Sequence, residues 1–407
     1  MNLAGRVRQL PGLAELLPAL AGLAPVYLVG GAVRDMLRGA ESVDVDLVVE
    51  GDAVSVAGEL AMRLGGEIRV HERFGTATLV APGVTADLAT SRRETYERPG
   101  ALPQVEAATL AEDLGRRDFT VNAMAVGLDE ADLGELHDPH GGRADLEAGT
   151  VRILHPQSFI DDPTRLLRAL RYEARLEMRM DRETEERARR AAADAALATV
   201  SGPRVRDELM DLLREGEALR AIERMRELGI DRGLDPALSA EPELVAGASV
   251  GAVETGAERG LAALAALVMP APDELEAWVD RLGLASGDRR AVMAAARQAP
   301  GLVRALRIEL AGSALHALLS SEPLEALAMA LALGAPAEPI HRFLADLRGI
   351  RLEVTGDDLL AAGVPASPVL GRALDETLKR KLDGEVSGRQ AELEVALDIA
   401  RREGAGS

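Results

Sequence analysis

Two carboxylates two positions apart, Asp44 and Asp46 in Val43-Asp-Val-Asp-Leu-Val-Val49, define the chemistry to look for. The alternation of apolar and acidic residues predicts a strand, on which both acids point to one face. Like charges so close are costly unless a cation sits between them. A pair of Mg²⁺ ions bridging a triphosphate is the natural occupant, with Asp44 and Asp46 as metal ligands. Upstream, the apolar run Val26 to Val29 ends at Gly30-Gly31-Ala-Val-Arg34-Asp35. A strand–Gly–Gly–helix junction lets a phosphate reach backbone N–H groups at the positive end of a helix, with no Cβ in the way. Gly30 and Gly31 would form that cradle, and Arg34, one turn in, would hold a phosphate oxygen. The spacings match neither a Walker loop nor a dinucleotide fingerprint. A third acid, Asp87 in Val84-Thr-Ala-Asp-Leu-Ala-Thr90, joins the metal cluster, polarises an attacking hydroxyl, or pairs at a strand end with Arg92 or Arg93.

Two further groupings bring charge into a pattern. Arg116-Arg117-Asp118-Phe119-Thr120-Val-Asn122-Ala123 sets two arginines beside an apolar segment. This suggests an anion site in which Asp118 and Asn122 fix the guanidiniums or bond backbone; the alternative is a solvated charge cluster. Asp161-Asp162-Pro163-Thr-Arg165-Leu-Leu-Arg168-Ala-Leu-Arg171 predicts a helix with Pro163 in its first turn and Asp162 near the cap. Arg165, Arg168 and Arg171 recur at every third position and share a face. An acid and an arginine so spaced can read the edge of a base. Asp162 would accept the exocyclic amine of C or A, and Arg165 would donate to C N3/O2 or A N1, whereas G and U present the wrong pattern. Arg168 and Arg171 would continue toward the phosphates. The competing reading is a helix of internal salt bridges. His137-x-x-His140 lies in a Pro-x-Gly-Gly context that predicts a turn, not a metal site.

These groups need a sheet and helices to position them. The spacing predicts a short helix within residues 1–24, closed by Pro25, then strands at Val26 to Val29 and Val43 to Val49. Helices follow at Ala32 to Arg38 and Ala53 to Leu64, and strands at Glu67 to Val70, Thr76 to Val80 and Val84 to Ala89. Past residue 155 strand signals nearly vanish, and Ala, Leu, Arg and Glu recur at helical spacing. Helices are expected at Thr164 to Leu176, Thr184 to Leu197, Arg204 to Arg214, Ala218 to Leu228 and onward to a last one that starts in Val354 to Leu360. The expected fold class is therefore α+β: an α/β head with a small mixed sheet over residues 1–150, a helical neck over 151–230 and a helical body and tail over 231–407.

Composition bounds the partners. The 407 residues are 47% apolar and 28% charged, as in ordinary globular protein. The absence of cysteine excludes disulfides, thiol catalysis and zinc ribbons. Four Phe, three Tyr and one Trp leave few stacking platforms for single-stranded nucleic acid. A net charge of −20 excludes a uniformly basic coat but not a local track. Residues 151–220 carry 14 basic and 14 acidic side chains and form the one neutral zone between acidic flanks. Only Lys379 and Lys381 are lysines; the other 45 basic residues are arginine, the better phosphate fork. No segment reads as a membrane span or cleavable leader, and a cytoplasmic protein is expected.

Taken in order, the four motifs resemble those of the class II tRNA nucleotidyltransferase and bacterial poly(A) polymerase family: Leu28-Val-Gly-Gly-Ala-Val-Arg-Asp35, Asp44-x-Asp46, Arg116-Arg-Asp-Phe-Thr-Val-Asn-Ala123, and Asp161-Asp-x-x-Arg-x-x-Arg168. The resemblance covers residues 25–215, and departs from the family at Asp161, where Glu is usual. It implies a nucleotidyltransferase head, with Mg²⁺ on Asp44 and Asp46. It further implies that Gly31, Arg34, Arg117, Arg168 and Arg171 hold the nucleotide, and that Asp162 and Arg165 select CTP or ATP. The implied partner is the 3′ end of tRNA, gripped by its acceptor and T-arm, to which all or part of CCA is added with release of pyrophosphate; no protein partner is legible. Arg93 to Val105 sits where the family places a flexible loop implicated in the switch from C to A. Thr355-Gly-Asp-Asp-Leu359 and Leu382-Asp-Gly-Glu385 resemble the ending of a bacterial branch that includes enzymes adding only the final A. A poly(A) polymerase, and a non-catalytic RNA-binding helical protein, are the alternatives.

Overall fold

The computed structural model describes residues 2–40, 45–71 and 75–404, and the chain divides into two compact units, 1–236 and 237–407. The first unit begins with two short helices, α1 (Ala4–Val7) and α2 (Leu13–Ala19), where one was expected. Gly12, at φ 79°, separates them in a conformation other residues avoid. Then come β1 (Val26–Val29), α3 (Gly31–Arg38), β2 (Asp46–Val49), α4 (Ala53–Leu64), β3 (Glu67–His71), β4 (Thr76–Ala81) and β5 (Val84–Thr90). β6 (Arg92–Thr95) and β7 (Gln104–Ala107) form a separate antiparallel hairpin. α5 (Leu110–Gly115), β8 (Ala125–Gly127) and β9 (Leu136–His137) complete the head.

Seven strands make one mixed sheet, ordered β3-β4-β5-β2-β1-β8-β9. Only β2 and β5 run parallel, with Asp46 in register with Asp87. The period of two is plain in β5: Val84, Ala86 and Leu88 are buried while Thr85 and Asp87 are exposed. α4 buries Ala53, Val56, Ala57, Leu60 and Ala61, a stripe at helical spacing, against the same sheet face. The opposite face carries Tyr27, Val29 and Val48, which pack with Leu110 and Leu114 of α5. Asp46, two residues before Val48, opens on that second face.

Helices then take over: α6 (Gly142–Glu147), α7 (Ser158–Asp161), α8 (Arg165–Leu176), α9 (Arg182–Ala193), α10 (Gly202–Arg214) and α11 (Ala218–Leu228). Two expectations shift. The run from Thr184 stops at Ala193, because Ala195 turns left-handed (φ 51°) and leads into a 3₁₀ turn. α8 begins at Arg165, not at Pro163: Asp162 ends α7 and accepts from Thr164 N (3.1 Å) and Oγ1 (2.7 Å), forming a turn between the helices. In the second unit, helix Arg259–Val268 is buried from Gly260 to Val268 among its neighbours. Helix Ser286–Ala305 runs through Pro300, and Leu302 and Val303 beyond the proline are buried. Among the described residues no helix is long and apolar enough to cross a membrane.

Candidate functional site

β1 delivers the chain to Gly30 at φ 67° and ψ −129°, and α3 starts at the next residue. The positive φ demands glycine there, and a Cβ would also crowd Arg117 Nη1 at 3.0 Å. Arg34, 4% exposed, donates from Nη1 to Asn122 Oδ1 (2.7 Å) and from Nε and Nη2 to Asp35 (2.9 Å each).

The pair Arg116–Arg117 is fixed by a residue the sequence reading passed over. Asp118 and Asn122 were expected to fix it or to bond backbone; Asp118 accepts from the Phe119 N–H and the Asn122 carbonyl from Arg117 Nη1 (3.5 Å), while the carboxylate that clamps both guanidiniums is Asp113. This fully buried carboxylate of α5 accepts through Oδ1 from Arg116 Nη2 (2.7 Å) and through Oδ2 from Arg117 Nη2 (2.9 Å). Burial pushes its pKa up, but the Arg117 and Arg116 guanidiniums outweigh that and hold the carboxyl below its ordinary range. The signal was available: Asp113 precedes the arginines by three and four residues, the helical salt-bridge spacing. Glu94 of β6 takes Arg116 Nη1 (2.8 Å) and the Tyr96 hydroxyl (2.9 Å). Burial and the neighbouring Glu94 push the Tyr96 pKa up, so the phenol stays protonated.

Asp118 serves other partners. It accepts from Phe119 N (2.8 Å), Asn122 Nδ2 (3.0 Å) and Arg168 Nη2 (2.7 Å). Burial raises its pKa, but Arg168 and Asn122 overcome the penalty and the carboxyl titrates low. Desolvation opposes the charge of the half-buried Arg168, yet Asp118, Tyr172 and Glu208 raise its pKa above the ordinary arginine value. Asn122 thus joins Arg34 to Asp118, and Asp118 joins both to α8.

Arg165, 5% exposed, is tied by Nη1 to the buried Ser158 Oγ (2.7 Å) and by Nη2 to the Arg116 carbonyl (2.7 Å). Its remaining N–H groups have no partner among the described residues. Beside it, Asp162 Oδ1 is engaged by Thr164 and by Arg204 Nη2 (2.9 Å), which leaves Oδ2 available. Arg171 pairs with Asp211 (2.6 Å). Tyr172 lies under three guanidiniums, those of Arg34, Arg168 and Arg171, at 5.5, 5.7 and 5.8 Å from its ring centre.

One cavity of about 580 Å³ gathers Gly30, Gly31, Arg34, Asp46, Arg117, Asp162, Arg165 and Arg168, walled by Glu94, Tyr96 and Tyr172. Arg171 is not on its wall; it stands behind Tyr172. Asp87 lines an adjoining cavity of about 420 Å³ that shares Asp46, Arg116 and Arg117 with the first. Asp87 accepts from Thr78 Oγ1 (2.6 Å), while Arg92 goes to Glu94 and Arg93 to Glu106, so the expected strand-end pair with either arginine does not form. Asp44 lies outside the described residues. Among those described, no group of three acids or histidines is arranged around a metal. The in-register carboxylates of Asp46 and Asp87 nonetheless present only hard oxygen donors on one sheet face, which fits a divalent ion such as Mg²⁺.

Residues 26–152 match the poly A polymerase head domain, and residues 177–241 match the probable RNA and SrmB-binding site of polymerase A. An A-adding tRNA nucleotidyltransferase of Geobacter sulfurreducens is 35% identical over 92% of this chain and 45% of its own length. A CC-adding tRNA nucleotidyltransferase of the same organism is 31% identical over 93% of each chain. The Thermotoga maritima CCA-adding enzyme, solved in complex with tRNA, is 30% identical with a TM-score of 0.78 over 98% of each chain. The chain spans half or less of the length of the A-adding relatives it matches.

Proposed function

The chain belongs to the family of poly(A) polymerases and tRNA nucleotidyltransferases, and we propose that it transfers nucleotides from CTP and/or ATP to the 3′ hydroxyl of tRNA, completing all or part of CCA without a template. The supporting observation is the single cavity in which a phosphate cradle, Asp46 and a base-reading pair meet. A triphosphate rests on the N–H groups at Gly30 and Gly31, between Arg34, Arg117 and Arg168. Asp162 Oδ2 accepts the exocyclic amine of the base, and Arg165 donates to its ring acceptors; UTP and GTP leave these groups unpaired. The 3′ oxygen forms its bond to the α-phosphorus while the bond to the β-bridging oxygen breaks, and pyrophosphate departs with that electron pair. Asp87, beside the second cavity, accepts the hydroxyl proton. Mg²⁺ held by Asp44 and Asp46 would supply charge neutralisation at both oxygens. Arg171 acts from behind the wall by fixing Tyr172. Residues 151–230 form a nucleotide-selecting neck, and residues 231–407 grip the RNA by shape and phosphate contacts. A cytoplasmic location follows from this role.

A narrower reading, addition of the terminal A alone, is favoured by relatives of that name that are 45% and 48% identical over about half of this chain. The test is incubation with tRNA ending before CCA, after C, or after CC, each with one labelled nucleotide. Full CCA addition expects CTP on the first two and ATP on the third; A addition expects only the last. ATP runs on any 3′ end would indicate a poly(A) polymerase. No incorporation, with no Mg²⁺-dependent nucleotide binding by calorimetry, would indicate an RNA-binding protein. D44A/D46A is expected to abolish incorporation with the fold intact, as followed by circular dichroism.

A further inference from the structure

The base-reading carboxylate and the β6–β7 hairpin are held by one side chain. Arg204, in the first turn of α10, donates from Nη2 to Asp162 Oδ1 (2.9 Å) and from Nη1 to the Gly100 carbonyl (3.0 Å) at the hairpin's tip. The Gly100 N–H in turn donates to the Asp161 carbonyl (3.3 Å). Gly100 is buried at φ 70°, and a Cβ there would sit 2.3 Å from Thr199 Oγ1 and 2.8 Å from its carbonyl oxygen. The tip is thus seated in a slot that admits only glycine, directly beneath the arginine fork. Glu94, Tyr96 and Pro103 of the same hairpin and connection wall the nucleotide cavity.

We propose that Arg204 is a specificity-determining positioning residue: its fork orients Asp162 toward the base and makes that orientation conditional on a seated hairpin. The inference rests on the nucleotidyltransferase reading above. Without Arg204, Asp162 keeps only the two bonds from Thr164 on Oδ1, and the carboxylate is held from one side alone. A planar fork with two targets is a task that a lysine, with one point charge, performs only in part.

The test compares kcat/KM for the accepted nucleotide with that for UTP and GTP, using the full chain and one tRNA. R204M keeps the stem and removes the fork, and is expected to lower the ratio by about tenfold or more, the worth of a hydrogen bond to a charged group. R204K should lie between R204M and the native chain. G100A leaves Arg204 in place but forces the tip out of its slot, and should lower the ratio as well. If R204M does not fold, R204K and G100A still decide. An equal loss for all four nucleotides, with the ratio unchanged, would overturn the inference and leave Arg204 as a structural tie. A native chain that incorporates nothing would overturn the underlying reading, and this inference with it; a native chain that discriminates beside variants that discriminate equally overturns the inference alone.

Discussion

Arg165 shows what burial does to a reading residue. Two of its N–H groups are spent on Ser158 Oγ and the Arg116 carbonyl, so the guanidinium cannot swing, and the rest of its edge faces the cavity. R165A should therefore weaken discrimination against UTP and GTP by roughly 1–3 kcal/mol, the range of a bidentate base contact, as measured by competing labelled nucleotides. Asp113 and Asp118 carry a different consequence. Both titrate low in the folded chain because arginines face them. Their contribution to stability is therefore fully present above the ordinary carboxylate pKa of about 4 and is lost as pH falls through their depressed folded values. Urea midpoints should drop as pH is lowered from about 4, and D113N should flatten part of that slope. Asp162, Arg165 and the Gly30-Gly31 turn were legible because each motif is contiguous. For Asp113 the salt-bridge spacing to Arg116 and Arg117 was legible but its burial was not: in Leu110-Ala-Glu-Asp-Leu-Gly115 it looks like any solvated helix acid, and only the folding back of the two arginines buries it.

At the level of elements, α8 organises cations around a ring. Tyr172 is contacted edge-on by Phe119 at 5.7 Å between ring centres, and its hydroxyl accepts from Arg168 Nη2 (3.2 Å). Cation–π contact eases the crowding of three like charges. Y172L should raise KM for every nucleotide by about tenfold while leaving base choice alone, and Y172F should stay near native, by steady-state kinetics. The strands of the sheet were readable from alternation, as in β5, and α4 from its apolar stripe. The β6–β7 hairpin was not. Arg92-Arg-Glu-Thr95 has no apolar face, and its order comes from the cross-strand pair of Arg93 with Glu106 (2.6 Å) and the tie of Glu94 to Arg116. The segment that the resemblance aligns with the family's flexible loop is docked in this structure through Gly100.

Across the whole molecule, a chain of net charge −20 that binds tRNA as proposed must do so through a minority of its surface. RNA affinity should then fall by at least about tenfold between roughly 50 and 200 mM salt, measured by filter binding, because each phosphate contact releases counterions. The split between a sheet-bearing first part and a helical remainder was visible in the loss of strand signals after residue 155. The first compact unit ends at residue 236, six residues past the end expected for the neck. One property of the cavity reaches further. Six arginines line it, and so do five carboxylates, with Asp113 just behind. Its electrostatics are thus settled internally before any visitor arrives. In the proposed reaction a nucleotide entering bare would tip that balance strongly negative, so the productive guest is one already escorted by its own metal.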